Sequence, residues 1–197
     1  EYREDVRLFL AMLNQRNLGT PLFLFGYSLG SAIVLDYILR SPQGQQGAVL
    51  SGTPIEPVGV ATPLQITLAR LLSRAWPGFT IRRSGDINGV SRDPAVLAAL
   101  QTDPLHHDLV TARWGTEAMA ITDWVRAQAG QVRLPLLFIH GEDDPFNAVS
   151  GVQRFFEEIS YPDKALKIYP GSRHETHNDL DHAQVAADII QWMEGHI

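Results

Sequence analysis

The chain contains no cysteine. That excludes disulfides and thiolate metal sites and leaves the redox compartment open. Basic charge is thin as well. Sixteen Lys and Arg against 22 Asp and Glu give a net charge of −6, with no dense basic run, which argues against a nucleic-acid partner. No apolar run suits a membrane span. Residues 22–39 come nearest, but Gly26, Ser28, Gly30 and Ser31 interrupt the run and Asp36 charges it. The opening Glu1-Tyr2-Arg3-Glu4-Asp5 is charged from the start, so no signal peptide is visible and a cytoplasmic location is expected. Internal repeats and low-complexity segments are also lacking. What remains is 197 residues of ordinary hydrophobic content, 45%, enough for one domain with a real core and short of what two usually need.

The rest of the chain is organised around Leu22-Phe23-Leu24-Phe25-Gly26-Tyr27-Ser28-Leu29-Gly30-Ser31-Ala32. The Phe- and Leu-rich run reads as a fully buried strand. It meets Gly26-x-Ser28-x-Gly30 and continues as an apolar stretch to Leu39 that suits a buried helix. Strand, G-x-S-x-G and helix together make a nucleophile elbow. A sharp, strained turn lifts the serine hydroxyl clear of the sheet. Only small flanking residues let strand and helix pack that closely.

Around this stretch, strands and helices alternate. Residues 3–16 place Val6, Phe9, Leu10 and Leu13 on one helical face, and Asn17-Leu18-Gly19 stops that helix. Residues 41–44 read as a turn and 47–52 as a short buried strand. Residues 53–115 change character. Pro54 and Pro57 break any strand, Pro63 opens a helix, and Asp93-Pro94 caps and starts another. This segment reads as an inserted, mostly helical cap. From Gly115 the alternation resumes, with a helix ending at Gly130, a buried strand at 135–141, a helix at 148–159, a strand at 164–169 and a helix at 181–195. In the last helix Val185, Ile189, Trp192 and Met193 face inward. The expected fold is therefore α/β: a mostly parallel sheet with helices on both faces, built from residues 1–52 and 116–197, carrying the cap at 53–115.

In an open parallel sheet the site lies beyond the carboxyl ends of the strands. Two loops qualify. His140-Gly141-Glu142-Asp143-Asp144-Pro145 follows one strand, and Pro170-Gly171-Ser172-Arg173-His174-Glu175 follows the next. With Ser28 they give the order Ser, Asp, His found in α/β-hydrolases. Ser28 would attack, His174 would take and return the proton, and an Asp would fix the imidazole.

The motifs Gly26-Tyr27-Ser28-Leu29-Gly30, His140-Gly141-x-x-Asp144-Pro145 and Tyr169-Pro170-Gly171-x-x-His174-Glu175 resemble the monoacylglycerol lipase branch of the α/β-hydrolases. That branch also holds lysophospholipase-like and serine-aminopeptidase-like relatives. The cap stretch Ser91-Arg92-Asp93-Pro94 through Thr102-Asp103-Pro104-Leu105-His106-His107 resembles it too, so the likeness spans nearly the whole chain. It implies a carboxylesterase for acyl glycerols or similar single-chain esters, with no cofactor, and it selects Asp144 over Asp143. Tyr27 and Ser31 depart from the His and Gly common in that branch. The resemblance also implies several strands and an H-G loop before residues 3–16, which this chain does not contain. That loop supplies one oxyanion donor; the other, the N–H of Leu29, is present. Without those strands the strand at 21–26 would be left with an open apolar edge. Self-association or a separate N-terminal piece is expected to cover it.

Other residues have plainer readings. His140 is expected to be a structural, hydrogen-bonded residue near the site. His106 and His107 lie in the cap, and no ligand spacing points to a metal. His177 and His182 are expected to decorate the surface or cap the last helix. Asp143 is read as a loop-shaping acid. Leu64, Leu68 and Leu72 form an apolar helical stripe that lines core or an acyl pocket, and Tyr27 beside the nucleophile joins them as a candidate substrate contact. Two function classes remain: a serine ester hydrolase for lipid-like acyl groups, with peptide or amide hydrolysis as its variant, and a hydrolase-like domain that only binds.

Overall fold

The computed structural model describes residues 2–16, 19–59, 62–82 and 85–197. In chain order the elements are α1 (Tyr2–Arg16), β1 (Phe23–Tyr27), α2 (Leu29–Arg40), β2 (Gly47–Ser51), α3 (Pro63–Ala75), β3 (Thr80–Arg82), α4 (Pro94–Thr102), β4 (Leu109–Thr111), α5 (Ala112–Arg126), β5 (Leu136–Gly141), α6 (Val149–Glu158), β6 (Lys164–Tyr169) and α7 (His182–Glu194). Local chemistry sets several starts. Thr62 and Gln65 form a capping box at the start of α3, with Pro63 as its first residue, and the Asp93 side chain caps α4 by accepting from the Ala95 N–H.

β1, β2, β5 and β6 form one parallel sheet in that order. The register sets Tyr27 beside Ser51, Ser51 beside Ile139, and Gly141 beside Tyr169, so the carboxyl ends of all four strands lie together. Alternation along the strands feeds two cores. Leu50, Leu136 and Phe138 pack with Leu35, Val125 and Phe155 on one face, while Val49, Leu137 and Ile139 pack with Val185 on the other. β2 and β5 are buried throughout, which is why they read as unbroken apolar runs. Each large side chain so buried stabilises by roughly 1.5–3 kcal/mol.

Several expectations change. β1 is not fully buried: Phe23 and Leu24 are half-buried and Phe25 is 49% exposed. The cause is position. β1 ends the sheet and pairs only with β2 among the described residues. Phe9 points outward at 56% exposure, because α1 meets α2 through the narrower stripe of Val6, Leu10 and Leu13. Of the three residues expected to stop α1, Asn17 and Leu18 lie outside the described residues; Gly19 has φ +83°. The described residues of 53–115 add no strand to the main sheet, yet they do contain an antiparallel pair, β3 with β4. The following helix starts before Gly115, since Thr111 caps it by accepting from the Trp114 N–H, and it ends at Arg126 rather than Gly130. α5 packs on both α3 and α2, so a boundary at 115 divides one helix. We retain the division into core and cap as a proposal.

Candidate active site

Ser28 sits between β1 and α2 with φ 49° and ψ −123°, and it is the one non-glycine residue at positive φ among the described residues. A side chain held there costs on the order of 1–3 kcal/mol, so the surroundings must enforce it. They do so from both sides. The Ser28 N–H donates to the Ser51 carbonyl at 2.9 Å. Its own carbonyl accepts from the Ser31 N–H at 2.9 Å and the Ser31 hydroxyl at 2.6 Å. Gly26 lets α2 approach: a Cβ there would lie 2.6 Å from Ser31 Cα and 2.7 Å from the Gly30 carbonyl oxygen. No such contact awaits a Cβ at Gly30. Leu29 opens α2, where an N–H has no carbonyl four residues back to bond.

The loops after β5 and β6 bring Asp144 and His174 to this serine. His174 Nε2 is 3.0 Å from Ser28 Oγ, and His174 Nδ1 is 2.8 Å from Asp144 Oδ2. Since a carboxylate only accepts, Nδ1–H donates to it and Nε2 is left to accept from the serine hydroxyl. The other Asp144 oxygen, Oδ1, accepts from the Phe146 N–H at 2.8 Å and the Asn147 N–H at 3.1 Å. Asp144 and His174 are both buried, and the rings of Tyr27 and Phe146 flank the imidazole at 5.0 and 5.2 Å. Asp143 is exposed, and its backbone N–H donates to the Ser172 carbonyl. The carboxylate that satisfies loop backbone is that of Asp144.

The remaining histidines separate clearly. His140 is fully buried, with Nε2 3.0 Å from the Asn147 carbonyl and 3.4 Å from Asp144 Oδ2. Burial pushes its pKa below the ordinary value, and since the Asn147 carbonyl only accepts, Nε2 carries a proton and donates it there. His177 does not decorate the surface. Its Nδ1 lies 3.2 Å from Ser51 Oγ, and its ring meets Phe25 and Tyr27 edge-on at 5.3 and 5.0 Å. The 3₁₀ turn Thr176–Asn178 folds it back over the end of the sheet, and burial lowers its pKa as well. His182 opens α7, its Nδ1 3.0 Å from the Asp179 carbonyl. His106 and His107 are exposed. No group of three or more His, Cys, Asp or Glu among the described residues could hold a metal ion.

The candidate substrate contacts are spread out. Tyr27 lies between His174 and His177, whereas Leu64 and Leu68 are exposed on α3 and Leu72 is half-buried. Asn147 was not singled out by the sequence, yet it donates its N–H to Asp144 and its side chain to the Gly52 carbonyl at 2.9 Å, and accepts from His140. No spacing rule flags an asparagine in a loop. No helix among the described residues is long and apolar enough to cross a membrane.

A parallel sheet with a strained serine between strand and helix, and with Asp and His on the loops after later strands, defines an α/β-hydrolase. The chain belongs to the serine aminopeptidase S33 family, whose match covers residues 1–181. It is 29% identical over 198 residues to the monoacylglycerol lipase of Mycolicibacterium smegmatis, covering 100% of this chain and 70% of that protein. It is 29% identical over 196 residues to the monoglyceride lipase of Saccharomyces cerevisiae, covering 90% of this chain and 62% of that one. Among solved structures, the monoacylglycerol lipase of Paleococcus ferrophilus superposes with a TM-score of 0.91 at 26% identity, over 99% of this chain and 74% of that one. The chain is thus a monoacylglycerol lipase-like α/β-hydrolase that spans 62% to 74% of these proteins' lengths.

Proposed function

We propose that the protein hydrolyses carboxylic esters of lipid-like acyl groups, such as monoacylglycerols, through an acyl-enzyme on Ser28. The observation that carries this reading is the unbroken relay from Ser28 Oγ through His174 to Asp144, at 3.0 and 2.8 Å. Ser28 Oγ attacks the ester carbonyl carbon while His174 Nε2 takes the hydroxyl proton. The Leu29 N–H bonds the carbonyl oxygen as it becomes an oxyanion. Collapse expels the alcohol, which leaves with the proton from His174, and the acyl group stays on Ser28. Water then attacks the acyl carbon as His174 takes its proton; the bond to Ser28 Oγ breaks, His174 returns the proton to Ser28 Oγ, and the acid leaves. Asp144 holds the imidazole in the required tautomer and stabilises its charge. The likeness to lipases in the two curated relatives supports a lipid ester as substrate. No cofactor enters this chemistry.

The exposed stripe of Leu64 and Leu68, with Leu72, is our candidate for acyl contact. Each methylene removed from water stabilises by about 0.8 kcal/mol, or roughly fourfold in kcat/KM. Peptide or amide hydrolysis is the second reading, favoured by the family's description as serine aminopeptidases. A domain that binds without catalysing is the third. Turnover of p-nitrophenyl esters of increasing chain length and of aminoacyl p-nitroanilides, with and without a serine-directed phosphonate and with Ser28→Ala as control, tests all three. kcat/KM should climb with chain length, and phosphonate or Ser28→Ala should abolish it. A flat profile from acetate to octanoate removes the acyl stripe, preference for aminoacyl amides installs the peptidase reading, and an inert wild type with no phosphonate adduct leaves only binding.

A further inference from the structure

The loop between β6 and α7, which carries His174, is gathered around one carboxylate. Asp179 is fully buried. Its Oδ1 accepts from the Leu180 N–H at 2.8 Å, the Arg92 backbone N–H at 2.9 Å and Arg92 Nε at 3.0 Å. Its Oδ2 accepts from the Arg173 N–H at 2.7 Å and the Ser172 hydroxyl at 3.1 Å. Burial works against the charge, but the N–H groups of Arg173, Leu180 and Arg92 and the Arg92 guanidinium outweigh it and hold the carboxyl below its usual range. One anion therefore closes the loop on both sides of His174 and ties it to Arg92, 87 residues earlier.

Arg92 belongs to a segment that touches both loops of the site. The Gly89 carbonyl accepts from the His174 N–H at 3.4 Å and the Val90 carbonyl from the Glu175 N–H at 2.8 Å. The Ser91 hydroxyl donates to the Asn178 carbonyl at 2.9 Å, and the Arg173 guanidinium reaches the Ser91 and Asn88 carbonyls. On its other side the segment presses on the residues that follow Asp144. A Cβ on Gly89 would stand 2.6 Å from Pro145 Cγ and 2.8 Å from Phe146 Cζ, and the Phe146 ring meets the His174 ring. Residues 88–92 are wedged between the Asp144 loop and the His174 loop. The Ser91-Arg92-Asp93-Pro94 stretch thereby acquires a place in the fold beyond starting α4.

We propose that Arg92 and Asp179 are a positioning pair for His174, with residues 88–92 as the brace that sets its distance to Ser28 and Asp144. This rests on the reading of His174 as the general base. The physical need is plain: a relay of this kind works only within about 0.5 Å of its productive geometry, and the loop bearing His174 has left the sheet ladder. Arg92→Ala is the informative variant. It removes the guanidinium but leaves Asp179 four donors, from Arg92 N, Leu180 N, Arg173 N and Ser172 Oγ, so the buried anion stays satisfied.

The test uses the full-length protein, p-nitrophenyl acetate as substrate and end-point phosphonate titration to count working sites. Per site, Arg92→Ala should lose about 10- to 100-fold in kcat with KM changed less than about twofold, since a displacement near 1 Å costs up to about 10²-fold. Asp179→Asn should lose at least as much. Arg40→Ala serves as control: Arg92 bonds Asp181 as well as Asp179, and Arg40 likewise makes two contacts, with the buried carboxylate of Asp36 and over the Trp124 ring, but touches neither loop. It should lower Tm yet keep kcat within about twofold. Wild-type kcat per site in Arg92→Ala overturns the proposal, even if Tm falls, and so does a loss confined to KM, which would mean contact with substrate. Should Asp179→Asn fail to fold, Arg92→Ala alone decides. An inactive, unlabelled wild type takes the reading of His174 down with it, whereas an active wild type matched by Arg92→Ala removes only the pair.

Discussion

Gly26→Ala puts one methyl group where strand and helix meet. The added Cβ would lie 2.6 Å from Ser31 Cα, 2.7 Å from the Gly30 oxygen and 2.8 Å from Ser31 N, all backbone atoms that no rotamer change can move. To reach an ordinary contact of 3.4 Å, the start of α2 must retreat by about 0.8 Å. Overpacking of this kind costs about 1–3 kcal/mol. Restricting the unfolded chain returns only about 0.4–1 kcal/mol, so the clash wins. The net loss should lower Tm by several degrees, at about 2–4 °C per kcal/mol for a chain of this size. Activity should suffer more. The retreat carries the Leu29 N–H and Ser28 away from His174, and a misplacement near 1 Å costs up to about 10²-fold. Gly30→Ala is the matched control: its Cβ meets nothing within 4 Å, and alanine gains up to about 1 kcal/mol in a helix. Calorimetry and ester turnover on both variants settle the matter. A Gly26→Ala protein with wild-type Tm and kcat, or a Gly30→Ala protein damaged equally, would refute the reasoning.

Three further outcomes are expected. Asp144→Asn should lose about 10⁴-fold in kcat, as in the analogous protease, because the amide favours the wrong imidazole tautomer, while Asp143→Asn should change activity only mildly; the reverse ranking sinks the assignment. His177 has its pKa lowered by burial from the ordinary 6.5, so between its folded value and 6.5 the unfolded chain binds the extra proton. Stability should therefore fall as pH drops through that window and be complete above it, and urea midpoints at pH 5.5 and 7.5 should differ less in His177→Gln than in wild type; equal slopes count against this. β1 ends the sheet among the described residues and leaves Phe25 exposed, so its free edge should pair with a second chain in solution; light scattering showing a monomer, with β1 amides protected from exchange, would contradict that.

The elbow and strands β2 and β5 were legible because each is specified by its neighbours in sequence: small residues at a tight turn, or apolar residues on both faces of a strand. Burial that depends on distant partners was not. The Phe-Leu run of β1 reads as buried wherever it lies, since composition does not say which strands flank it. In sequence His177 reads as a surface or helix-capping residue; the turn after His174 instead lays it on Tyr27. β3 and β4 span three residues each and are too short for any alternation to register. Spacing could not choose between Asp143 and Asp144, which follow β5 in one loop. The resemblance points to Asp144, and our proposal of it as the triad acid is supported by its placement: of the two it alone turns inward, with one oxygen on loop backbone and the other on His174.

Asp144 and Asp179 share a design that explains why neither role shows in a spacing rule. Residues that leave a parallel sheet at its carboxyl end lose their ladder partners, and their N–H groups must still be satisfied if buried. A carboxylate offers about four acceptor positions, so one side chain can close a loop that would otherwise need several waters or a second strand. Once bound by two or more backbone donors, its remaining lone pairs point in a fixed direction. In Asp144 that direction is His174 Nδ1. In Asp179 it is the Arg92 side chain. Each carboxylate first orders its own loop and then fixes one long-range partner, 30 or 87 residues away. A sequence displays the local half of such a device as an ordinary turn acid; the long-range half becomes visible only when the sheet has set its strand ends side by side.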